Sequence, residues 1–211
     1  MVAQIIFIVL LSAATVLFTK NVRKVIRNIR LGRDLDRSDN SGARWMVMTK
    51  VALGQSKMVK RPVAGILHIF VYVGFVIINI EVLEIIIDGI FGTHRVFSFI
   101  GPLYNVLIGS FEILAFLVLV ACVIFLIRRN WIRLRRFNMP ELDKWPRSDA
   151  NIILITEIFL MGAFLKMNAA DSVLQSRAVG HYITAGAFPV SQYIAMIYSH
   201  FSTGTLEGIE R

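Results

Sequence analysis

The sequence predicts an all-α integral membrane protein, a helical bundle with four membrane-spanning helices and amphipathic helices at the membrane surface. Hydrophobic residues make up 56% of the 211 residues, above the roughly 45–50% of soluble domains. They are concentrated in four blocks, each close to the ~20 residues that a helix needs to cross a bilayer. Most Lys and Arg residues lie between these blocks, which is typical of membrane topology signals.

The first apolar block covers residues 2–19 and has no charge ahead of it. Because secretory signals begin with a basic segment, we expect a retained span instead of a cleaved leader. Positive charge follows from Lys20, which places the amino terminus on the non-cytoplasmic side. Residues 20–61 are then cytoplasmic, as an amphipathic extension and a second interfacial helix around Trp45.

Three further spans are predicted at residues 62–87, 102–127 and 150–169. The segment 128–149 between the last two is expected in the cytoplasm, and residues 170–211 outside, with an interfacial helix within 182–201. All of these parts form a single membrane domain over residues 1–211. The sequence ends without a helix cap or a polar terminal segment, so we expect a further span to follow.

The distribution of basic residues decides this topology. The two inner segments hold 19 Lys and Arg residues, whereas the outer segments hold three, as the positive-inside rule requires. The net charge of +9 is therefore explained by topology, and we expect the lipid bilayer, and no nucleic acid, as a partner.

The single cysteine, Cys122, lies inside an apolar block. One cysteine excludes a disulfide within the chain, and it also excludes an iron–sulfur cluster or zinc site built on cysteines of this chain. A redox metal would need the histidines or a partner.

His68 is the candidate metal ligand, about two turns into the second span. It shares a helical face with Tyr72, Phe75 and Asn79. A neutral imidazole inside a bundle is a good axial ligand for haem iron. A hydrogen bond from this histidine to a neighbouring helix is the alternative that the spacing leaves open.

Glu112 and Glu157 are carboxylic acids within the third and fourth spans. Such groups are costly in a membrane and by default indicate function. With Tyr72 they are candidates for proton exchange with a quinone or quinol. A structural hydrogen bond or an interhelical pair is the alternative.

A second acidic group, Glu81, Glu84 and Asp88, lies near the end of the second span. It could line a proton exit or bind a cation, but a solvated helix end explains it more simply. The other histidines show no zinc-binding spacing and are expected to be ordinary loop residues: His94, His181 and His200.

Several short motifs, in this order, resemble a known family: Ala52-Leu53-Gly54-Gln55, Leu67-His68, Gly74-Phe75, the run from Asn79 to Glu84, Gly92-Thr93-His94-Arg95 and the run from Trp145 to Asn151. The resemblance covers nearly the whole chain. It is to the membrane domain of nitrate reductase gamma subunit-like proteins. It is closer to Bacteroidetes-type versions that accompany iron–sulfur oxidoreductases related to heterodisulfide reductase.

The resemblance implies five spans in a bacterial inner membrane, with a periplasmic amino terminus. It implies haem b between histidines of the second and fifth helices, and His68 matches the second-helix ligand. The fifth helix and the cysteine-rich iron–sulfur domain are missing from these 211 residues. The second haem ligand and any 4Fe-4S cluster are therefore expected in a partner or a further domain.

Two functions remain open at this point. The first is a membrane subunit that relays electrons between quinone or quinol and a cytoplasmic iron–sulfur module through haem b, without catalysing a reaction alone. The second is a non-redox membrane anchor or assembly subunit that docks a partner through its basic inner loops. A small transporter would need inverted repeats or broken helices, and the four spans show neither.

Overall fold

A computed structural model of the protein describes residues 2–33, 39–54, 62–132, 145–180 and 182–210. The helices in these ranges are α1 (Val2–Arg30), α2 (Ser41–Met48), α3 (Pro62–Phe91), α4 (Pro102–Leu126), α5 (Trp145–Ser176), α6 (Ser191–Tyr198) and α7 (Thr203–Glu210). Single π-helical turns follow α2 and α4, and a 3₁₀ turn, Val96–Ile100, precedes α4. These ranges contain no β-strand, which confirms the predicted all-α class.

Four of these helices are long and apolar enough to cross a membrane, as predicted: α1, α3, α4 with its π turn, and α5 from Ser148. The helix α5 continues to Ser176, beyond the predicted end of the fourth span at residue 169. Its last two turns stay helical because Ala170, Val173 and Leu174 are buried against Tyr182 and residues of α7. Parts of the predicted inner segments, and His181, lie outside the described residues.

The chain forms two compact units. The first contains residues 1–65 and 89–92. In it, Gly89 lies directly against the ring of Phe7, where a Cβ would come within 2.4 Å of the ring. Gln4 donates from its side chain to the carbonyl of Ile90. The helix α1 runs unbroken to Arg30, so the predicted amphipathic extension is continuous with the first span.

The second unit contains residues 66–88 and 93–211, and its core lies between α3, α4 and α5. The buried apolar side chains of this core are Ile78, Tyr104, Ile108, Phe111, Ala115, Val118, Cys122, Met161, Phe164 and Leu165. The helices α3 and α4 approach closely at Gly74, since a Cβ there would lie 2.5 Å from Cγ2 of Val118. Small residues at helix contacts are typical of membrane bundles.

The segment after α5 is only partly the interfacial helix predicted within 182–201. The helix α6 begins at Ser191, and residues 182–188 are irregular. Gly186, with φ 97°, and Pro189 interrupt the segment. Its backbone is held by side chains of the neighbouring helices, because Asn105 accepts from the amide of Gly186 at 2.8 Å. Gln175 makes two hydrogen bonds of 3.1 Å with the backbone of Ala185.

Candidate functional site

A set of buried polar residues lies at the end of the second unit where α3 ends and α4 begins. We call it the polar cluster. It consists of Glu81, Glu84, Asp88, His94, Arg95, Tyr104, Glu112, Asn168, Asp171, Gln175 and Ser191. Nine of these have 8% or less of their surface exposed: Glu81, Glu84, Arg95, Tyr104, Glu112, Asn168, Asp171, Gln175 and Ser191. Buried polar groups in an otherwise apolar bundle are costly unless they are paired.

Arg95 is the centre of the cluster. Its Nε donates to Oδ2 of Asp171 at 2.7 Å, and Nη2 donates to Oδ1 of Asn168 at 2.9 Å. Nη1 donates to the hydroxyl of Tyr104 at 3.2 Å. The guanidinium also lies 5.3 Å from the ring centre of Phe188, within the range of a cation–π contact. This one side chain therefore joins the loop to α4 and α5.

Neighbouring groups stabilise the charged form of Arg95. Burial alone would lower the pKa of the guanidinium, but Asp171, Tyr104 and Glu81 raise it above its usual value. Asp88 positions the residue by accepting from the backbone amide of Arg95 at 2.7 Å. This hydrogen bond supports a left-handed backbone, φ 52°, which is uncommon outside glycine. The single basic residue of the loop is thus directed into the bundle.

Asp171 receives donors on both carboxylate oxygens. His94 contacts Oδ1 through Nε2 at 3.0 Å, and Gln175 donates to Oδ2 at 3.0 Å. Since Nδ1 of His94 accepts from the amide of Ile183 at 3.3 Å, Nε2 carries the proton that is donated to Asp171. His94 also packs edge-on against Tyr182 at 4.9 Å. The expectation that His94 is an ordinary loop histidine is wrong, because its side chain is 8% exposed and paired.

Glu84 joins α3 to the loop and to α4. It accepts from the hydroxyl of Tyr104 at 2.7 Å and from the backbone amide of Phe97 at 2.8 Å. Glu81 lies one turn earlier on α3, and its Oε1 is 3.7 Å from Nη1 of Arg95. Both glutamates are 3% exposed or less. The simpler expectation of a solvated helix end is therefore wrong for these two residues.

Glu112 accepts four hydrogen bonds from outside its own helix. Asn168 donates to Oε1 at 3.1 Å, and the hydroxyl of Ser191 donates to the same atom. The backbone amides of Val190 and Ser191 donate to Oε2 at 3.0 and 3.1 Å. The carboxylate thus lies at the N-terminus of α6, where the helix dipole favours negative charge. This geometry supports the structural alternative for Glu112.

The other site residues predicted from the sequence lie elsewhere. His68 and Tyr72 are half-buried on one face of α3, near its start. Glu157 is half-buried on α5, close enough to Cys122 to interact with it electrostatically. His68 is 13 residues, or about 20 Å of helix, from Glu81. Glu157 is 11 residues, or about 16 Å, from Asn168. Glu112 therefore does not lie with His68, Tyr72 and Glu157.

Sequence reasoning missed Arg95, Asn168 and Asp171 as members of a site. One signal was available, since Arg95 is the only Lys or Arg in the loop between the second and third predicted spans. A lone arginine among several acids near a span end predicts a buried partner. No sequence signal indicated that Asp171 is part of the site, because the predicted fourth span ended at residue 169.

The donor set constrains what cofactors this chain can hold. Within the described ranges, no three His, Cys, Asp or Glu side chains are grouped to bind a metal ion. The sequence has one cysteine, Cys122, which is buried within the apolar core. The residues of this chain therefore do not fit a cysteine-ligated iron–sulfur cluster. His68 is half-buried on α3, and an imidazole is one of the side chains that can ligate haem iron.

Comparison with known proteins gives one distant relationship. The chain is 26% identical over 152 residues, 72% of its length, to the probable iron–sulfur-binding oxidoreductase FadF of Bacillus subtilis strain 168. The match spans 20% of that much longer protein. No family profile matches the sequence, and no solved structure matches it. The chain is thus a helical membrane protein with a distant relation to an oxidoreductase.

Proposed function

We propose that this chain is the membrane part of a respiratory-type oxidoreductase. In this role it relays electrons between quinone or quinol in the bilayer and an iron–sulfur module at the cytoplasmic face, through haem b. The observation that carries the proposal is the similarity to an iron–sulfur-binding oxidoreductase over 72% of the chain. The chain also has four helices that are long and apolar enough to cross a membrane.

His68 is the residue we propose as the axial ligand. It is half-buried on α3, and the neutral imidazole of histidine is a common haem ligand. A haem bound there would supply one-electron transfer. The second axial ligand would come from a partner or a further domain. The 4Fe-4S clusters would also come from there, since this chain has one cysteine.

Glu157 and Tyr72 are the proton-exchanging groups that we favour for the quinone reaction. Oxidation of a quinol releases two protons with its two electrons, so the site needs proton-exchanging groups, and one carboxylate can accept one of these protons. Glu157 is half-buried on α5 and Tyr72 lies one turn after His68. Glu112 is a weaker candidate for proton exchange because its carboxylate already accepts four hydrogen bonds.

The proposed setting is the inner membrane of a bacterium, with the amino terminus in the periplasm. The concentration of Lys and Arg in residues 20–61 and 128–149 supports this orientation. The same basic segments would dock the iron–sulfur module on the cytoplasmic side.

Visible spectroscopy of the protein, purified with its iron–sulfur partner, tests this function. The dithionite-reduced minus oxidised spectrum should show the α-band of a b-type haem, and a quinol should reduce it. His68→Ala should abolish the band, whereas His200→Ala, at an exposed residue after α6, should leave it unchanged. A band that survives His68→Ala would show that His68 is not the ligand. A wild-type complex with iron–sulfur absorption alone would instead favour the non-redox anchor.

A further inference from the structure

The polar cluster contains more buried acid than buried base. Glu81, Glu84, Glu112 and Asp171 are each 3% exposed or less. Arg95 is the only Lys or Arg with comparable burial among the described residues. A buried ionised carboxylate is tolerated when a cation or several hydrogen-bond donors compensate it. The four acids differ sharply in this compensation.

Three of the acids are well compensated. Glu112 accepts four hydrogen bonds, two of them from the backbone at the start of α6. Asp171 accepts from His94, Arg95 and Gln175. Glu84 accepts from Tyr104 and from the amide of Phe97. In each of these three acids, both carboxylate oxygens accept hydrogen bonds.

Glu81 is different. Its Oε2 is buried and has no hydrogen-bond partner in the described part of the chain. Its Oε1 is 3.7 Å from Nη1 of Arg95, beyond hydrogen-bond distance. The guanidinium donates instead to Asp171, Asn168 and Tyr104 at 2.7–3.2 Å. Arg95 therefore donates its hydrogen bonds to other residues and acts on Glu81 only through its charge.

We propose that the carboxyl group of Glu81 is a proton-binding site, which holds an exchangeable proton at neutral pH. The groups that act on it come from every packed element: Glu84 on α3, Arg95 in the loop, Glu112 on α4 and Asp171 on α5. Their sum is one positive charge against three negative charges. Adding a fourth negative charge at Glu81 would be opposed by like charges and by burial.

Exchange of this proton with water would follow one face of α3. Glu81, Glu84 and Asp88 are spaced by three and four residues, so they lie along the same side of the helix. Glu81 and Glu84 are buried, Asp88 is half-buried, and Thr93 beside Asp88 is exposed. This row of carboxyl groups connects the buried end of the cluster to the end of the helix.

The protonation of Glu81 is a property of the fold and can be tested without any redox partner. Under the proposed function, Glu81 would release its proton to water and take up in its place one released by quinol, and that extension rests on the proposed function. A protonated Glu81 in a protein without quinol activity would support the site and reject only the extension.

Infrared spectroscopy of the purified full chain in lipid nanodiscs is the direct test. At neutral pH we expect a carboxylic-acid C=O band that moves to lower frequency in D₂O. In a Glu157→Gln background, which removes the half-buried glutamate of α5, Glu81→Gln should remove the band, whereas Glu207→Gln on α7 should not. Persistence of the band when Glu81→Gln is added to that background, or absence of the band from that background alone, would overturn the proposal.

Thermal stability supplies a second readout. A neutral Gln has the shape and charge of a protonated Glu81, so Glu81→Gln should melt close to wild type at neutral pH. The folded wild type binds a proton that the unfolded chain releases, so its Tm should fall as pH rises. Glu81→Gln should flatten that dependence. A marked loss of Tm in Glu81→Gln, or stabilisation of the wild type by added Na⁺ or Ca²⁺ that the variant lacks, would show an ionised or cation-binding carboxylate instead.

Discussion

The carboxylate of Glu112 on α4 accepts a hydrogen bond from the backbone amide of Ser191, the first residue of α6, which lies 79 residues further along the chain. Both residues are fully buried. A carboxylate inside a predicted membrane span thus forms the N-terminal cap of a short helix. The burial of Ser191 and its second contact, to the carbonyl of Leu165, fix α6 against α5.

Removing the Glu112 carboxylate should release this segment. Glu112→Gln keeps the size but loses the charge, and hydrogen bonds to a charged group contribute roughly 1.5–3 kcal/mol. We expect Glu112→Gln to lower the free energy of unfolding by about 2 kcal/mol and Glu112→Ala to lower it further. Thermal denaturation in detergent and limited proteolysis between residues 182 and 201 measure the two effects. Wild-type protection of that segment in Glu112→Ala would contradict the capping role.

Arg95 and Asp171 should be energetically coupled. Removing one member of a buried ion pair typically costs about 3–5 kcal/mol, because the other charge stays buried alone. We expect a loss of that size for Arg95→Met and for Asp171→Asn, and a loss for Arg95→Met/Asp171→Asn that is clearly smaller than the sum of the two single changes. A double-mutant cycle on thermal stability measures the coupling.

Arg95→Lys serves as the matched control for this pair. Lysine keeps the charge but lacks the planar fork, so it cannot reach Asp171, Asn168 and Tyr104 together. It should recover only part of the stability that Arg95→Met loses. Additive single and double changes would show that Arg95 and Asp171 act independently.

The sequence predicts the spanning helices well because the signal for each is local. A block such as residues 102–127 must be helical in lipid, whatever it packs against, since its backbone has no other hydrogen-bond partner. The polar cluster is not local. His94 and Asp171 are 77 residues apart, and no spacing rule joins them. Acids at a span end, such as Glu81 and Glu84, show the same pattern whether they face water or a buried arginine.

The close approach of α3 and α4 at Gly74 should be intolerant of a side chain. A Cβ at this position would lie 2.5 Å from Cγ2 of Val118, and overpacking a core typically costs about 1–3 kcal/mol. We expect Gly74→Ala to lower Tm accordingly and Gly74→Ala/Val118→Ala to recover much of the loss. Gly162→Ala, where a Cβ meets nothing within 4 Å, is the control on α5. If Gly74→Ala and Gly162→Ala have the same Tm, the contact between Gly74 and Val118 does not exclude a side chain at position 74.

The predicted sidedness can be tested by labelling single cysteines in intact cells, after Cys122→Ala removes the one natural thiol. Ala43→Cys lies in the basic segment before α3, and Thr184→Cys lies in the segment after α5; both positions are exposed. Because basic segments are retained in the cytoplasm, a membrane-impermeant maleimide should label the Thr184→Cys variant in intact cells. It should label the Ala43→Cys variant only after lysis. The reverse pattern would invert the topology and place the polar cluster at the cytoplasmic face. Labelling of both variants in intact cells would mean that the chain crosses the membrane an even number of times between them.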